Sequence, residues 1–285
     1  MIRSCGRVLR GLWASSHPGP TMVVTMLAVG LSAAAGLDPW RMLLLTAAVL
    51  LGQLSVGISN DAIDAGRDRV TGRRDKPIAR GDISARTAWI AASGCLILAL
   101  LLSAPLGIGL LAAHAVALAS AWAYNSGLKA NSWSVAPFII SFGLFPSFAT
   151  LSAPEPQIAA PWAWLAGGTL GAAMHLTNVL PDLDDDTRTG IRGLPHRIGG
   201  TPAAVLAAAS VLAGAAAVLY GSAPEGIQAA SSVSWWFFGL VVAVVLTTLG
   251  LTFAGRSGRV LFRLLMLAAL LLAAQLVATG GSLAG

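Results

Sequence analysis

Charge is what this sequence has least of. Charged residues make up 11% of its 285 positions, less than half of the roughly 25% usual in a soluble globular domain, and a water-soluble surface is excluded on that ground. Cysteine is also scarce. Of the two cysteines, Cys5 lies in a basic N-terminal segment and Cys95 inside an apolar run, which supports neither a disulfide framework nor a thiolate metal site. Alternation of polar and apolar residues over ten-residue segments is missing as well, so a membrane β-barrel is not indicated. No Pro- or Ser-rich linker or low-complexity segment divides the chain, which reads as one domain over 1–285.

What is present is apolar and continuous. With 56% hydrophobic residues, the chain offers about nine stretches near the ~20-residue length of a membrane-spanning helix, at 20–37, 40–59, 86–104, 106–124, 133–152, 161–180, 202–220, 234–254 and 258–279. The expected fold is an all-α, polytopic membrane helix bundle. Arg3, Arg7 and Arg10 precede the first stretch, which ends in Ser32-Ala33-Ala34-Ala35 and so imitates a secretory signal. With eight further stretches behind it, it is read as a retained first helix.

Alternating the loops between two sides puts 17 of the 18 basic residues on one of them and leaves only Arg41 opposite. By the positive-inside rule that side is cytoplasmic, with the N-terminus on it, in the cell membrane. The same reading sets nine of the twelve acidic residues on the cytoplasmic side. The net charge of +6 then reflects topology and contact with anionic lipid, and no nucleic-acid-binding motif is visible. Trp235-Trp236 and Phe237-Phe238 read as an aromatic belt at the opposite interface.

Two acidic runs break the apolar pattern. Asn60-Asp61-Ala62-Ile63-Asp64-Ala65-Gly66-Arg67-Asp68 ends the second stretch, and Asp182-Leu183-Asp184-Asp185-Asp186 follows the sixth. Carboxylates beside a membrane span are costly to keep there and mark function. An even number of helices separates the runs, so both emerge on the same side; the chain also has a weakly duplicated look, each half carrying an apolar helix, an acidic run and a basic loop. If the second helix continues through its acidic end, Asp61, Asp64 and Asp68 fall at i, i+3 and i+7 on one face, with Asn60 at its edge. Asn178, Asp182 and Asp186 step by four and share a face likewise, Pro181 kinks that helix end, and Asp184 points elsewhere.

Stacked carboxylates repel and need neutralising. Read alone, either run is equally a solvated loop pairing with its Arg-rich neighbours. Read together, they suit Mg2+, a hard cation held by one or two carboxylates plus substrate phosphates, and two converging clusters would hold such ions on each side of a diphosphate. The basic segments that follow, Arg73 to Gly81 and Arg188 to Arg197, supply candidate phosphate clamps, of which Lys76, Arg80 and Arg192 are preferred. His17, His114 and His175 are read as histidines bonding within the bundle, with contact to an acceptor or a proton relay as the alternative.

Asn60-Asp61-x-x-Asp64-x-x-x-Asp68 matches the N-D-x-x-D-x-x-x-D motif, and Asp182-x-x-x-Asp186 the second D-x-x-x-D motif, of the UbiA superfamily of intramembrane prenyltransferases, which this chain resembles over nearly its whole length. Lys76-Pro77-Ile78-Ala79-Arg80-Gly81-Asp82-Ile83-Ser84 and the segment Thr189-Gly190 to Gly199 look like that family's loops after each motif. The resemblance implies transfer of a polyprenyl group from its diphosphate to a small lipophilic or aromatic acceptor, with a quinone precursor or aromatic acid as first choice. Asn60, Asp61, Asp64, Asp68, Asp182 and Asp186 would be the metal ligands, and Asp64, Asp68, Asp182 and Asp186 the catalytic set. Lys129 would be a further diphosphate contact and Tyr124 a contact to acceptor or prenyl group. The chain departs from the family's Tyr-x-x-x-Lys element, since Tyr124 and Lys129 are one residue further apart.

Two other classes share some of these features. CDP-alcohol phosphotransferases also set paired aspartates around metal, but Ala65 stands where their pattern needs Gly, and the second run lies over 100 residues away. An ion- or proton-coupled transporter would carry its acids near the midplane on broken helices, whereas here they crowd one membrane edge beside basic loops.

Overall fold

A computed structural model describes residues 2–73, 75–183, 187, 190–223, 225–255, 259–279 and 283, and the backbone alone at residues 2–5, 182 and 259. Among the described residues the chain is helical without a strand. The helices are α1 (Ile2–Ser15), α2 (Pro18–Ala34), α3 (Pro39–Val70), the short α4 (Pro77–Arg80), α5 (Ala85–Ser103), α6 (Ile108–Ser126), α7 (Ala136–Leu151), α8 (Pro161–Val179), the short α9 (Leu194–Ile198), α10 (Gly200–Gly221), α11 (Ser232–Phe253) and α12 (Arg259–Ala278).

Each of the nine apolar stretches coincides with a helix of 16 residues or more. Six are long and apolar enough to cross a membrane. The others are α2 with 17 residues, α7 with 16, and α8, which ends in His175, Thr177 and Asn178. The fold is that of a multi-pass helical membrane protein. Sequence reasoning missed α1, a separate helix before the first apolar stretch, whose Val8 and Leu12 pack against the apolar cluster that holds Ile78 and Ile83.

One apolar core runs through α2, α3, α6, α7, α8, α10, α11 and α12 and is built largely from alanine and leucine. Small residues let these helices come close, which matters in lipid because helix association there relies on packing and not on water exclusion. The contact of α7 with α8 is the clearest instance. Pro146 sits inside α7 and donates no N–H, which frees the carbonyl of Phe142 one turn earlier. Gly167 of α8 approaches that oxygen so closely that a Cβ would fall 2.2 Å from it, and a Cβ on Gly171 would fall 2.3 Å from the carbonyl oxygen of Phe138.

A smaller apolar cluster backs the acidic end of α3. Ile58, Ala62 and Ala65 pack with Ile78 and Ile83 of the following loop and with Ala88 and Ala92 of α5. The end of α3 therefore has an apolar face turned to α5 and α1, and its carboxylates form a stripe about a quarter-turn away from it. Gly171→Ala tests the α7–α8 contact: forcing a methyl against the Phe138 carbonyl is expected to destabilise the fold by about 1–3 kcal/mol, read as a lowered thermal midpoint in detergent. An unchanged midpoint would contradict the close approach.

Candidate active site

The 32 residues of α3 carry it unbroken past Asp68, so the acidic run is helical and its carboxylates share a face as its spacing predicts. Asp61 and Asp64 are each met by a cation from another part of the chain, and Asp68 by its neighbour on the same helix. Asp61 is 1% exposed and accepts a 2.6 Å hydrogen bond at Oδ1 from Lys76 Nζ, with His17 Nε2 at 3.0 Å. Lys76 Nζ and His17 Nε2 are themselves 3.2 Å apart. Asp64 accepts from Lys129 Nζ at 2.6 and 2.7 Å and lies 3.2 Å from Arg67. Asp68 is buried, with Arg67 Nε at 4.0 Å.

Local structure explains why these cations arrive. Lys76 heads α4, a single turn pinned by the fully buried Ile78 and closed by Gly81 at φ 84°. His17 stands between α1 and α2 with φ 54°, a left-handed conformation uncommon outside glycine. Gly57 lets that junction pass close to α3, since a Cβ there would fall 2.5 Å from the Ser16 carbonyl oxygen. On the other flank, Asn125 donates to the Val56 carbonyl at 2.9 Å and to the Ser59 hydroxyl at 3.0 Å, and Trp122 Nε1 to the Ser55 hydroxyl at 3.1 Å. These bonds fix α6 against α3. The 3-10 turn Leu128–Ala130 that follows brings Lys129 onto Asp64, so the extra residue after Tyr124 does not keep it away.

Asn60, Asp64, Lys129 and Tyr124 line one cavity of about 580 Å3. From the second motif, Asn178 and Pro181 line the same cavity, which puts the two motif-bearing helix ends at one place. Asp182 is described only in its backbone, in the turn Leu180–Asp182, and Asp186 lies outside the described residues. Arg192 is exposed beside the cavity-lining Ile191 and Gly193. Arg80 stands apart, bonded to Asp82 in a different hollow. In the same loop, hydrogen bonds from Arg73 hold the Asp75 carboxyl well below the usual carboxylate range.

Away from this polar mouth the cavity is apolar, walled by Val24, Val49, Phe142, Phe145 and Phe148. On one wall Tyr124, Phe138 and His175 form an aromatic group, with ring centroids 4.9 to 5.6 Å apart. His175 is 1% exposed. Its Nε2 lies 3.0 Å from the Ser134 hydroxyl, which accepts the backbone N–H of Leu194 at 2.8 Å. This contact holds the imidazole ring in place through Nε2, while His175 Nδ1 is buried without a partner. Of the cavity-lining residues, Asn178 is marked in the sequence by its i, i+4 step to Asp182 and His17 reads there as bonding within the bundle, whereas Phe138, in an unbroken apolar run, carries no sequence signal.

The oxygen donors fit a hard cation. Asp61 Oδ2 is buried with no hydrogen-bond partner, beside Asn60 and one turn from Asp64. Among the described residues, which leave out the side chains of the second motif's aspartates, no three His, Cys, Asp or Glu side chains are grouped to hold a metal ion.

The UbiA prenyltransferase family model matches residues 21–260, and the chain belongs to that family. Its fold is similar to three solved structures. One is of a digeranylgeranylglyceryl phosphate synthase in membranes, at 15% identity, TM-score 0.73, with 97% of this chain and 99% of that one covered. A UbiA homolog from Aeropyrum pernix K1, in its apo form, is 19% identical with TM-score 0.72 over 91% and 98%. A UbiA homolog from Archaeoglobus fulgidus, bound to GPP and Mg2+, is 16% identical with TM-score 0.72 over 94% and 99%. At such identities the likeness is one of fold. Among curated proteins none matches the chain.

The Asp61–Lys76 pair gives a stability prediction. Lys76→Met leaves a buried carboxylate facing His17 alone and is expected to cost about 3–5 kcal/mol. The double variant Lys76→Met/Asp61→Asn should recover most of that loss in thermal unfolding, and a double variant no more stable than Lys76→Met would show that the pair is not what holds this corner.

Proposed function

We propose that this protein transfers a polyprenyl group from its diphosphate to an aromatic or quinone-precursor acceptor, using Mg2+, at the cytoplasmic end of a cell-membrane helix bundle. The observation that carries the proposal is one cavity with hard oxygen donors and a lysine at its mouth and phenylalanines along its body. That polarity gradient suits a molecule with a diphosphate head and a hydrocarbon tail. The GPP and Mg2+ bound by the Archaeoglobus fulgidus relative support the same chemistry, and the concentration of 17 of 18 basic residues on one side supports the orientation.

Asn60, Asp61, Asp64 and Asp68 from the first run, with Asp182 and Asp186 from the second, would hold the metal. Mg2+ bound there supplies positive charge against the charge that grows on the departing diphosphate. Lys129, which lines the cavity on a flexible four-carbon stem, would turn from carboxylate to phosphate oxygens as the head group enters, with Arg192 at the rim, while Lys76, outside the cavity lining, would keep Asp61 neutralised. The apolar body keeps water from the allylic cation left after C–O cleavage, and the π faces of Tyr124 and Phe138 would stabilise its charge. The acceptor would lie against the same aromatic group, its polar atom meeting the unpartnered His175 Nδ1.

Two outcomes are expected in purified membranes supplied with a prenyl diphosphate and a panel of acceptors, with products read by mass spectrometry. Asp64→Ala and Asp182→Ala should each lower product by at least about 100-fold while the protein stays membrane-inserted, and EDTA should do the same until Mg2+ is restored. Full activity in either variant would refute the two-cluster site. His175→Phe should raise the acceptor KM and leave that of the prenyl diphosphate unchanged; an equal rise in both would place the histidine outside acceptor recognition.

A further inference from the structure

A second hollow lies on the far side of the α4 loop from the cavity and shares no lining residue with it. About 520 Å3 in volume, it is walled on one side by Arg7, Arg10, Gly11 and Ala14 of α1, and on the other by Pro77, Arg80 and Asp82. Three guanidinium groups thus face one carboxylate across segments some 70 residues apart. Arg80 is bonded to Asp82, while neither Arg7 nor Arg10 has a carboxylate partner among the described residues. The hollow therefore carries uncompensated positive charge in the planar, forked form that matches phosphate oxygens.

The rest of α1 says where the phosphate comes from. Val8 and Leu12 form one face, packed against the apolar cluster that holds Ile78 and Ile83, and Gly11 brings the helix against Ile83 closely enough that a Cβ would fall 2.8 Å from its Cγ2. Arg7, Arg10 and Ala14 form the second face, toward the hollow. Leu9 and Trp13, 63% and 44% exposed, form a third, next to Arg10 on the helical wheel. Apolar side chains left outward beside a basic face are the pattern of a helix lying in the headgroup region of a bilayer. A soluble phosphate would leave Leu9 and Trp13 unexplained; a lipid uses all three faces at once.

We propose that this hollow is a binding site for the phosphate headgroup of an anionic phospholipid, with the acyl chains running past Leu9 and Trp13. A lipid bound there would bridge α1 and the α4 loop, the segment whose first residue, Lys76, pairs with Asp61. The site would then steady that loop from behind, as a structural lipid separate from the substrate cavity and independent of which acceptor the protein uses.

The test uses the full chain in detergent, with retained lipid counted by native mass spectrometry after exposure to phosphatidylglycerol or phosphatidylcholine. Selective retention of phosphatidylglycerol is expected, reduced on the order of 10-fold in Arg7→Gln/Arg10→Gln and unaltered in the control pair Arg86→Gln/Arg263→Gln. Equal retention by parent and Arg7→Gln/Arg10→Gln would overturn the site, and an equal drop in the control pair would reduce the effect to diffuse surface charge and overturn it too. Inorganic phosphate and geranyl diphosphate serve as competitors. Displacement of the lipid by inorganic phosphate, or by geranyl diphosphate at equal concentration, would assign the hollow to a soluble anion and overturn the lipid reading.

Discussion

The acidic end of α3 can stay inside an apolar bundle only because ammonium groups from elsewhere in the chain neutralise it. Asp61 is met by Lys76, 15 residues on, and Asp64 by Lys129, 65 residues on. The first pairing requires the chain to double back at once, which Pro77, the buried Ile78 and Gly81 arrange. The second requires α5 and α6 to cross away and return, with α6 locked on α3 by Asn125 and Trp122. Much of the geometry at this end of the bundle follows from delivering two charges to two carboxylates.

The choice of lysine at both places has a chemical consequence. An arginine bonded through two parallel N–H groups would be held by geometry as well as by charge, whereas an ammonium is a point charge on a flexible stem. On the proposed function, Lys129, which lines the cavity, would leave its carboxylate for a phosphate oxygen without moving backbone. Removing such a partner uncovers a buried carboxylate, so the exchange is favourable only when another cation takes its place. On the proposed function, that coupling ties metal entry to diphosphate capture.

Much of this was legible in the sequence, and for definite reasons. Continuous apolar runs near membrane thickness mark α3, α5, α6, α10, α11 and α12 without ambiguity, and the i, i+3, i+7 spacing of Asp61, Asp64 and Asp68 is fixed once α3 is known to continue. The helix α1 was not legible. Gly6, Gly11 and three arginines give it little net hydrophobicity, and its apolar face has meaning only against Ile78 and Ile83 in a loop about 70 residues later. Lys129 was obscured in another way: an extra residue after Tyr124 breaks the familiar spacing, and only the 3-10 turn shows that the side chain still reaches Asp64. Arg80, by contrast, looked like a phosphate clamp from its neighbours in sequence, yet it faces α1 and not the cavity.

What could not be read from spacing at all is which buried polar atoms are left without partners. A buried acceptor or donor with no partner costs about 1–3 kcal/mol, and native structures keep few of them. Asp61 Oδ2 and His175 Nδ1 are two such atoms, one in the acidic run and one on the aromatic wall. They stand in different settings: the carboxylate oxygen calls for a cation, and the imidazole nitrogen for a polar atom on a ligand held against the aromatic wall. On the proposed function, a metal diphosphate bound beside a polar acceptor would give both atoms the partners that the protein alone does not supply.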